Sequence, residues 1–263
     1  KHIIVTFEPI PMVARIIEAP EGYESLVGTE YEYLSEAIAK VENGQEKSFV
    51  IQIINNIDNE TNIIMDKKIT IDLNSYTINA NDEKNATIVV RTGELKVIDS
   101  KATGKISNSK GMAIKIEEGG ALNLGVDDGS IRYNSPIIEG KTTGVYNLGT
   151  FNFYDGVIRG KTAIDGGVTD TPKLYDPKVE QSGEMQESVL AKVTDVEATI
   201  GKTRYATLEQ AVDAANNIKG TSEDEIEIDI VVDLAKNAKV VMDNTKNIVL
   251  DLNGYTLTNT VAD

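Results

Sequence analysis

Ile88-Val89-Val90, Gly93-Glu94-Leu95-Lys96-Val97 and Gly104-Lys105-Ile106 form one line of a pattern that the chain writes three times. The second line is Ala113-Ile114-Lys115-Ile116, Gly120-Ala121-Leu122-Asn123-Leu124 and Gly129-Ser130-Ile131. The third is Gly144-Val145-Tyr146, Gly149-Thr150-Phe151-Asn152-Phe153 and Gly156-Val157-Ile158. The middle glycines recur after 27 and 29 residues, the last ones after 25 and 27. A near-constant spacing of this size marks a repeat architecture. Within each middle piece apolar and polar residues alternate, as in Leu95/Val97, Leu122/Leu124 and Phe151/Phe153, which is the period of a strand with one face inward. Each piece is too short for a helix, and glycine before it suits a corner that needs positive φ or no side chain. Three short strands per repeat, stacked repeat on repeat, predict an all-β chain built as a parallel β-helix. The repeat length favours the right-handed form, with leucine stacked on leucine and phenylalanine inside. A sandwich of antiparallel hairpins is the competing reading, and it leaves the in-line glycines unexplained.

The composition narrows the function. With no cysteine among 263 residues there is no disulfide, thiolate metal site or thiol nucleophile. The one histidine, His2, stands at the start of the chain and offers no buried general base. A net charge of −16, from 26 basic and 42 acidic residues, repels nucleic-acid phosphate and anionic lipid. No run approaches the roughly 18 apolar residues of a membrane span, so no membrane insertion is expected. The chain opens on lysine without a signal-peptide pattern, which reads as a processed or excised piece.

Around the repeat, Ile3, Val5 and Phe7 suggest a strand that Pro9 and Pro11 interrupt. Leu34, Ala37, Ile38 and Val41 share one face of a short helix that Gly44 closes. Strands follow at Phe49–Ile54, Ile69–Asn74 and Tyr76–Ile78, giving four or five rungs over about 45–165. After Asp165 the pattern breaks at Gly166-Gly167, Pro172 and Pro177, so 169–196 reads as a linker or irregular cap. Then the chain begins again. Tyr205-Ala206-Thr207-Leu208-Glu209-Gln210-Ala211-Val212 matches Tyr31–Ile38, and Asn247–Leu257 matches Lys68–Ile78, at offsets of 174 and 179. Thr207 and Gln210 have the spacing of a capping box. An amphipathic helix of this kind can cover the open end and bare strand edge of a β-helix. The expected segments are an N-terminal strand or linker at 1–26, a β-helix domain with its α-helical N-terminal cap at 27–168, the linker, and the start of a second tandem copy at 197–263. The open edge of that copy, lined by Ile248, Leu250 and Leu252, is expected to dock on the first copy near Tyr154–Ile164 or on another copy of the chain.

At Tyr205–Val212, Leu250–Leu257 and Gly144–Ile158 the chain resembles the pectate-lyase-like right-handed β-helix repeats of Gram-positive bacterial cell-surface proteins. The resemblance spans roughly 27–165 and 197–263. It implies a secreted, modular wall or surface protein and specifies the scaffold far better than an activity. Two positions depart from the pattern: Tyr33 stands where a capping threonine is expected, and Ser75 where glycine is expected.

The candidate chemistry is sparse. Asp128, before Gly129, and Asp155, before Gly156, would lie about 5 Å apart if stacked on adjacent rungs, and they are the candidate calcium ligands. The competing explanation is that aspartate before glycine simply makes a turn. Arg132 and Arg159 each follow a corner glycine by three residues and are expected to stack outward beside Ser107. Tyr133, Tyr146 and Tyr154 are candidates to stack on sugar rings, with Tyr146 able to face either way. No phosphate loop, dinucleotide fingerprint, zinc spacing or calcium-repeat motif is present, and no cofactor is expected. These features predict a non-enzymatic extracellular module, a stalk, adhesin or surface-layer component, that meets glycans, a host surface or copies of itself. A polysaccharide lyase or hydrolase of the same fold is the first alternative, and a phage or virion fibre the second.

Overall fold

The computed structural model describes residues 10–42, 49–58, 60–128, 130–218, 225–236, 241–243 and 245–259. His2, the expected strand at Ile3, Val5 and Phe7, the helix stop at Gly44 and the corner glycine Gly129 lie outside them. The chain is mostly β and divides into two compact units, one of residues 1–172 and 176–191, the other of 173–175 and 192–263.

In the first unit β1 (Ala14–Glu18) and β2 (Glu30–Tyr31) precede α1 (Leu34–Ala39). Five triplets of short strands follow. They are β3 (Phe49–Ile53), β4 (Ile57–Asp58) and β5 (Ile63–Met65); β6 (Lys68–Asp72), β7 (Thr77–Ala80) and β8 (Ile88–Val90); then β9 (Glu94–Ile98), β10 (Lys105–Asn108) and β11 (Ile114–Ile116). The fourth is β12 (Ala121–Leu124), β13 (Ile137–Gly140) and β14 (Thr143–Asn147), and the fifth is β15 (Thr150–Phe153), β16 (Val157–Gly160) and β17 (Thr162–Gly166). The first strands of all triplets form one parallel sheet, the second strands another, the third strands a third. Each strand therefore pairs with the one three places on, not with its neighbour in sequence.

Register follows the alternation read from the sequence. Leu122 pairs with Leu95 on one side and Phe151 on the other, and Leu124 with Val97 and Phe153. All six are 0–1% exposed. In the second sheet Ile78, Ile106, Ile138 and Ile158 form one buried column. Gly93, Gly120 and Gly149 stand just before the paired Glu94, Ala121 and Thr150. None has positive φ. Here the missing side chain is what counts: a Cβ on Gly120 would run into the Val90 carbonyl, and one on Gly149 into that of Gly120.

Two sequence expectations are corrected. Gly129-Ser130-Ile131 is not the last strand of its line; that strand is β13, and Ile138, not Ile131, joins the isoleucine column. The described residues before β13, 126–128 and 130–136, belong to an enlarged corner that ends on a cis Ser135–Pro136 bond. The segment 169–196 is not a linker. It contains β18 (Thr169–Asp170), which extends the first sheet, then β19 (Tyr175–Ser182) and β20 (Met185–Lys192). β20 runs antiparallel to β16, and β19 lies on its outer side. Ser188 and Leu190 are the inward residues of β20. β19 is exposed along most of its length and carries Pro177 and Lys178, features that discourage further edge pairing.

The second unit contains β21 (Ala198–Ile200), β22 (Thr203–Tyr205), α2 (Leu208–Asn217), β23 (Glu225–Ile230), β24 (Leu234–Lys236), β25 (Asn247–Asp251) and β26 (Leu257–Asn259). Ala198 pairs antiparallel with Tyr205 as Ala14 does with Tyr31, and β23 pairs parallel with β25 as β3 does with β6. The correspondence between the two units thus begins at β1 and β21, and β1 lies inside the 1–26 segment. The two helices are capped differently. Thr207 accepts the Gln210 amide at 3.2 Å, and Glu197 takes that of Leu208 at 2.9 Å. Tyr33 makes no side-chain cap, and Glu60 instead receives the Leu34 and Ser35 amides at 3.2 and 3.0 Å. α1 spans six residues and α2 ten. At the other departure, Ser75 (φ 71) adopts the same left-handed turn as Gly254 (φ 81), its amide held by Asp99 at 2.8 Å.

Candidate functional site

The corner between the first and second sheets carries the acidic residues singled out above. Asp99, Val126 and Asp155 each stand two residues past the paired Val97, Leu124 and Phe153, so they occupy equivalent places. Asp99 accepts the amides of Ser75 and Gly104 and the Ser135 hydroxyl. Asp155, 1% exposed, accepts the Val126 amide at 2.9 Å, the Arg132 amide at 2.7 Å and Arg132 Nη1 at 2.8 Å. Gly125 and Gly156, both at positive φ, let the enlarged corner lie against Asp155 and Pro136, where a side chain would collide. Arg132 also donates through Nη2 to Asp128 at 2.7 Å. That contact, with the Ser130 amide, holds the Asp128 carboxyl below its ordinary range. Asp128 and then Asp155 raise the already high pKa of Arg132.

Asp128 and Asp155 are therefore not a stacked pair. One is exposed in the enlarged corner and the other is buried beneath it, and the Arg132 guanidinium joins them. Nor do Arg132 and Arg159 stack. Arg159 lies on the outer face of the second sheet in the column Asn79, Ser107, Glu139, Arg159, where it meets Glu187 at 2.6 Å and Glu139 at 3.9 Å. Only Arg159 stands in the column of Ser107. The reason is the same inserted corner, which displaces Arg132 from the register that its spacing to Gly129 suggested. Tyr133 is exposed in that corner. Tyr154 is half-buried, and burial, with Asp127 and Asp170 nearby, raises its hydroxyl pKa. Tyr146 faces outward, half-buried, between Lys115 and Asp165.

This geometry limits the chemistry. A cleft of about 210 Å³ is lined by Asp99, Ser100, Arg132, Ser135 and Asp155. A carboxylate base or nucleophile needs a free oxygen aimed at substrate. Both Asp155 oxygens already accept N–H donors, and both Asp99 oxygens accept N–H or O–H donors. An arginine base needs a lowered pKa, whereas both partners of Arg132 push it up. The arrangement is that of a clamp: a buried carboxylate gathers the backbone of an enlarged corner, as Asp72 gathers the amides of Asn74 and Ser100 three triplets earlier.

A second cleft, about 360 Å³, opens on the outer face of the second sheet and is lined by Asn79, Lys105, Ser107, Ser109, Glu139 and Lys141. Lys105 reaches Glu139 at 3.5 Å. Hydroxyl, amide and charged groups alternate along it on successive strands. The sequence reading missed it because its residues come from β7, β10 and β13 and their ends, which are far apart in the chain.

In the second unit Glu227, Asp229 and Asp251 bring carboxylate oxygens within 4.8 Å of one another. Asp229 pairs with Lys173 and accepts the Thr199 hydroxyl at 3.3 Å. The alternating acids of Glu225-Ile226-Glu227-Ile228-Asp229 were the legible signal for this grouping. No helix among the described residues is long and apolar enough to cross a membrane. Compared with protein-family models, curated proteins and solved structures, the chain matches none.

Proposed function

We propose that the five triplets are the rounds of a right-handed parallel β-helix of the pectate-lyase-like kind, with α1 as its N-terminal cap and a second tandem copy of the cap and first strands behind it. The chain then serves as a non-enzymatic extracellular module, a stalk, adhesin or surface-layer component that meets glycans through its outer polar columns. What supports the fold part is the strict rule that each strand pairs in parallel with the one three places on. The observation that carries the functional part is Asp155: the best-placed buried carboxylate is saturated by two backbone amides and a guanidinium. Such a residue holds a corner and has no free oxygen for a proton, a sugar carbon or a metal.

Screening against pectin, alginate and glycosaminoglycans, with unsaturated products read by ultraviolet absorbance and hydrolysis by reducing ends, is expected to show no turnover. Asp155→Ala strands two part-buried amides and the Arg132 guanidinium above them, and is expected to cost about 2–4 kcal/mol in denaturant unfolding. Turnover in the parent chain that vanishes in an Asp155→Ala protein still folded at the assay temperature would overturn the reading in favour of a carbohydrate-active enzyme.

A further inference from the structure

Two neighbouring corners repeat a motif that the fold explains only in part: Gly140-Lys141-Thr142 after β13 and Gly160-Lys161-Thr162 after β16. The glycines are dictated by packing. A Cβ on Gly140 would strike the Thr143 carbonyl, and one on Gly160 that of Thr162. The threonines join the third sheet, the Thr162 amide bonding to the Thr142 carbonyl at 2.9 Å. The lysines answer to neither need. They stand two residues past the paired Glu139 and Arg159, each just beyond the end of its strand, so they occupy neighbouring corners. Both are exposed, as is Lys110 at the preceding corner. Among the described residues none of the three has an ion-pair partner. At the equivalent place one strand earlier the chain carries Ser109, so the scaffold does not need a cation there. Two like charges in register repel. They stand here without an ion pair, in a chain whose net charge is −16.

Lys141 also lines the cleft on the outer face of the second sheet, beside the hydroxyls of Ser107 and Ser109 and the amide of Asn79. Lys105, whose ammonium meets Glu139 at 3.5 Å, and Lys141 give the cleft two cations to one carboxylate, and with the neutral hydrogen-bonding groups beside them they fit a polymer with both anionic groups and hydroxyls. Resting on the glycan-binding reading above, we infer that the Lys110–Lys141–Lys161 corner and the adjoining cleft bind an acidic polysaccharide, one bearing uronate carboxylates. Nucleic acid fits less well. Its dense phosphate charge is repelled by the chain as a whole, and no aromatic side chain lines the cleft for a base to stack on.

The test uses the whole chain with alginate as the polyuronate probe, dextran as the neutral probe and a single-stranded DNA as the competing polyanion. Alginate is expected to bind more tightly than dextran, and more weakly as salt rises. Lys141→Gln/Lys161→Gln is expected to weaken alginate binding about tenfold while dextran binding and the melting temperature stay put. A control of equal net charge, Lys101→Gln/Lys192→Gln, is expected to change neither. The inference is overturned if the corner variant and the control bind alginate alike, or if DNA binds as tightly as alginate. It also falls if dextran binds and alginate does not, an outcome that leaves the glycan-binding reading standing; binding of no glycan at all removes both.

Discussion

Single carboxylates set the local shape of this chain by collecting backbone amides. Asp82 is a clear case: it accepts the Lys84 amide at 2.8 Å, the Asn85 amide at 3.0 Å and the Asn85 side-chain amide at 2.8 Å. These donors, the Asn85 side chain foremost, lower its pKa from an ordinary 3.8 to about 2. Because the folded value lies below the unfolded one, the contribution of Asp82 to stability is complete above about pH 4 and is lost as the pH falls toward 2. A carboxyl-carbon NMR titration is expected to give a midpoint near 2 for Asp82, moving up toward 3.8 in Asn85→Ala. An unshifted midpoint in that variant would mean that the backbone amides alone hold the carboxylate. At this scale the sequence was partly legible. Aspartate before glycine at Asp155-Gly156 does mark a corner, as turn chemistry suggests. Its ligation by Arg132 was not legible, because the two residues meet only through the length of an inserted corner.

At the scale of strands and corners, the glycine column is the feature most open to test. Gly119 and Gly120 are neighbours, yet a Cβ on Gly119 meets its nearest atom, Thr92 Cγ2, at 3.2 Å, while one on Gly120 collides with the Val90 backbone. Gly120→Ala is therefore expected to cost about 2–3 kcal/mol and Gly119→Ala within about 0.5 kcal/mol, read by urea unfolding. Equal effects would show that the column answers to backbone entropy and not to space. The strands were readable where a glycine and alternating apolar residues coincide, as at Leu95, Leu122 and Phe151. The middle strand of the fourth triplet was misplaced because Gly129-Ser130-Ile131 and Pro136-Ile137-Ile138 look alike, and only pairing with Ile106 and Ile158 separates them. The β19–β20 hairpin escaped because β19 is solvated on both faces and leaves no apolar period to read.

At the scale of the whole molecule the chain is two units, each with its own buried residues. In the second, Leu208, Ala211, Val212 and Ala215 of α2 pack with Ala198, Ile226, Ile228 and Ile230. Independent cores predict independent unfolding. A chain ending at Ala191 is expected to keep the melting midpoint of the larger unit, measured by calorimetry against the full chain. A drop of more than a few degrees would show that the second unit stabilises the first.

The spacing of paired residues in the first sheet is 20 from Phe49 to Ile69, 26 on to Leu95, 27 to Leu122 and 29 to Phe151. The pairing is thus counted in strands and not in residues. An added or deleted residue at a corner changes one loop and leaves every column where it was, whereas in an antiparallel hairpin it would turn side chains to the wrong face. The corner that holds Arg132, Tyr133 and Pro136 is longer than the one before it at Asp99–Gly104, yet Ile138 keeps its column. The scaffold separates what must stay constant, the paired columns, from what is free to vary, the corners between the strands of each triplet.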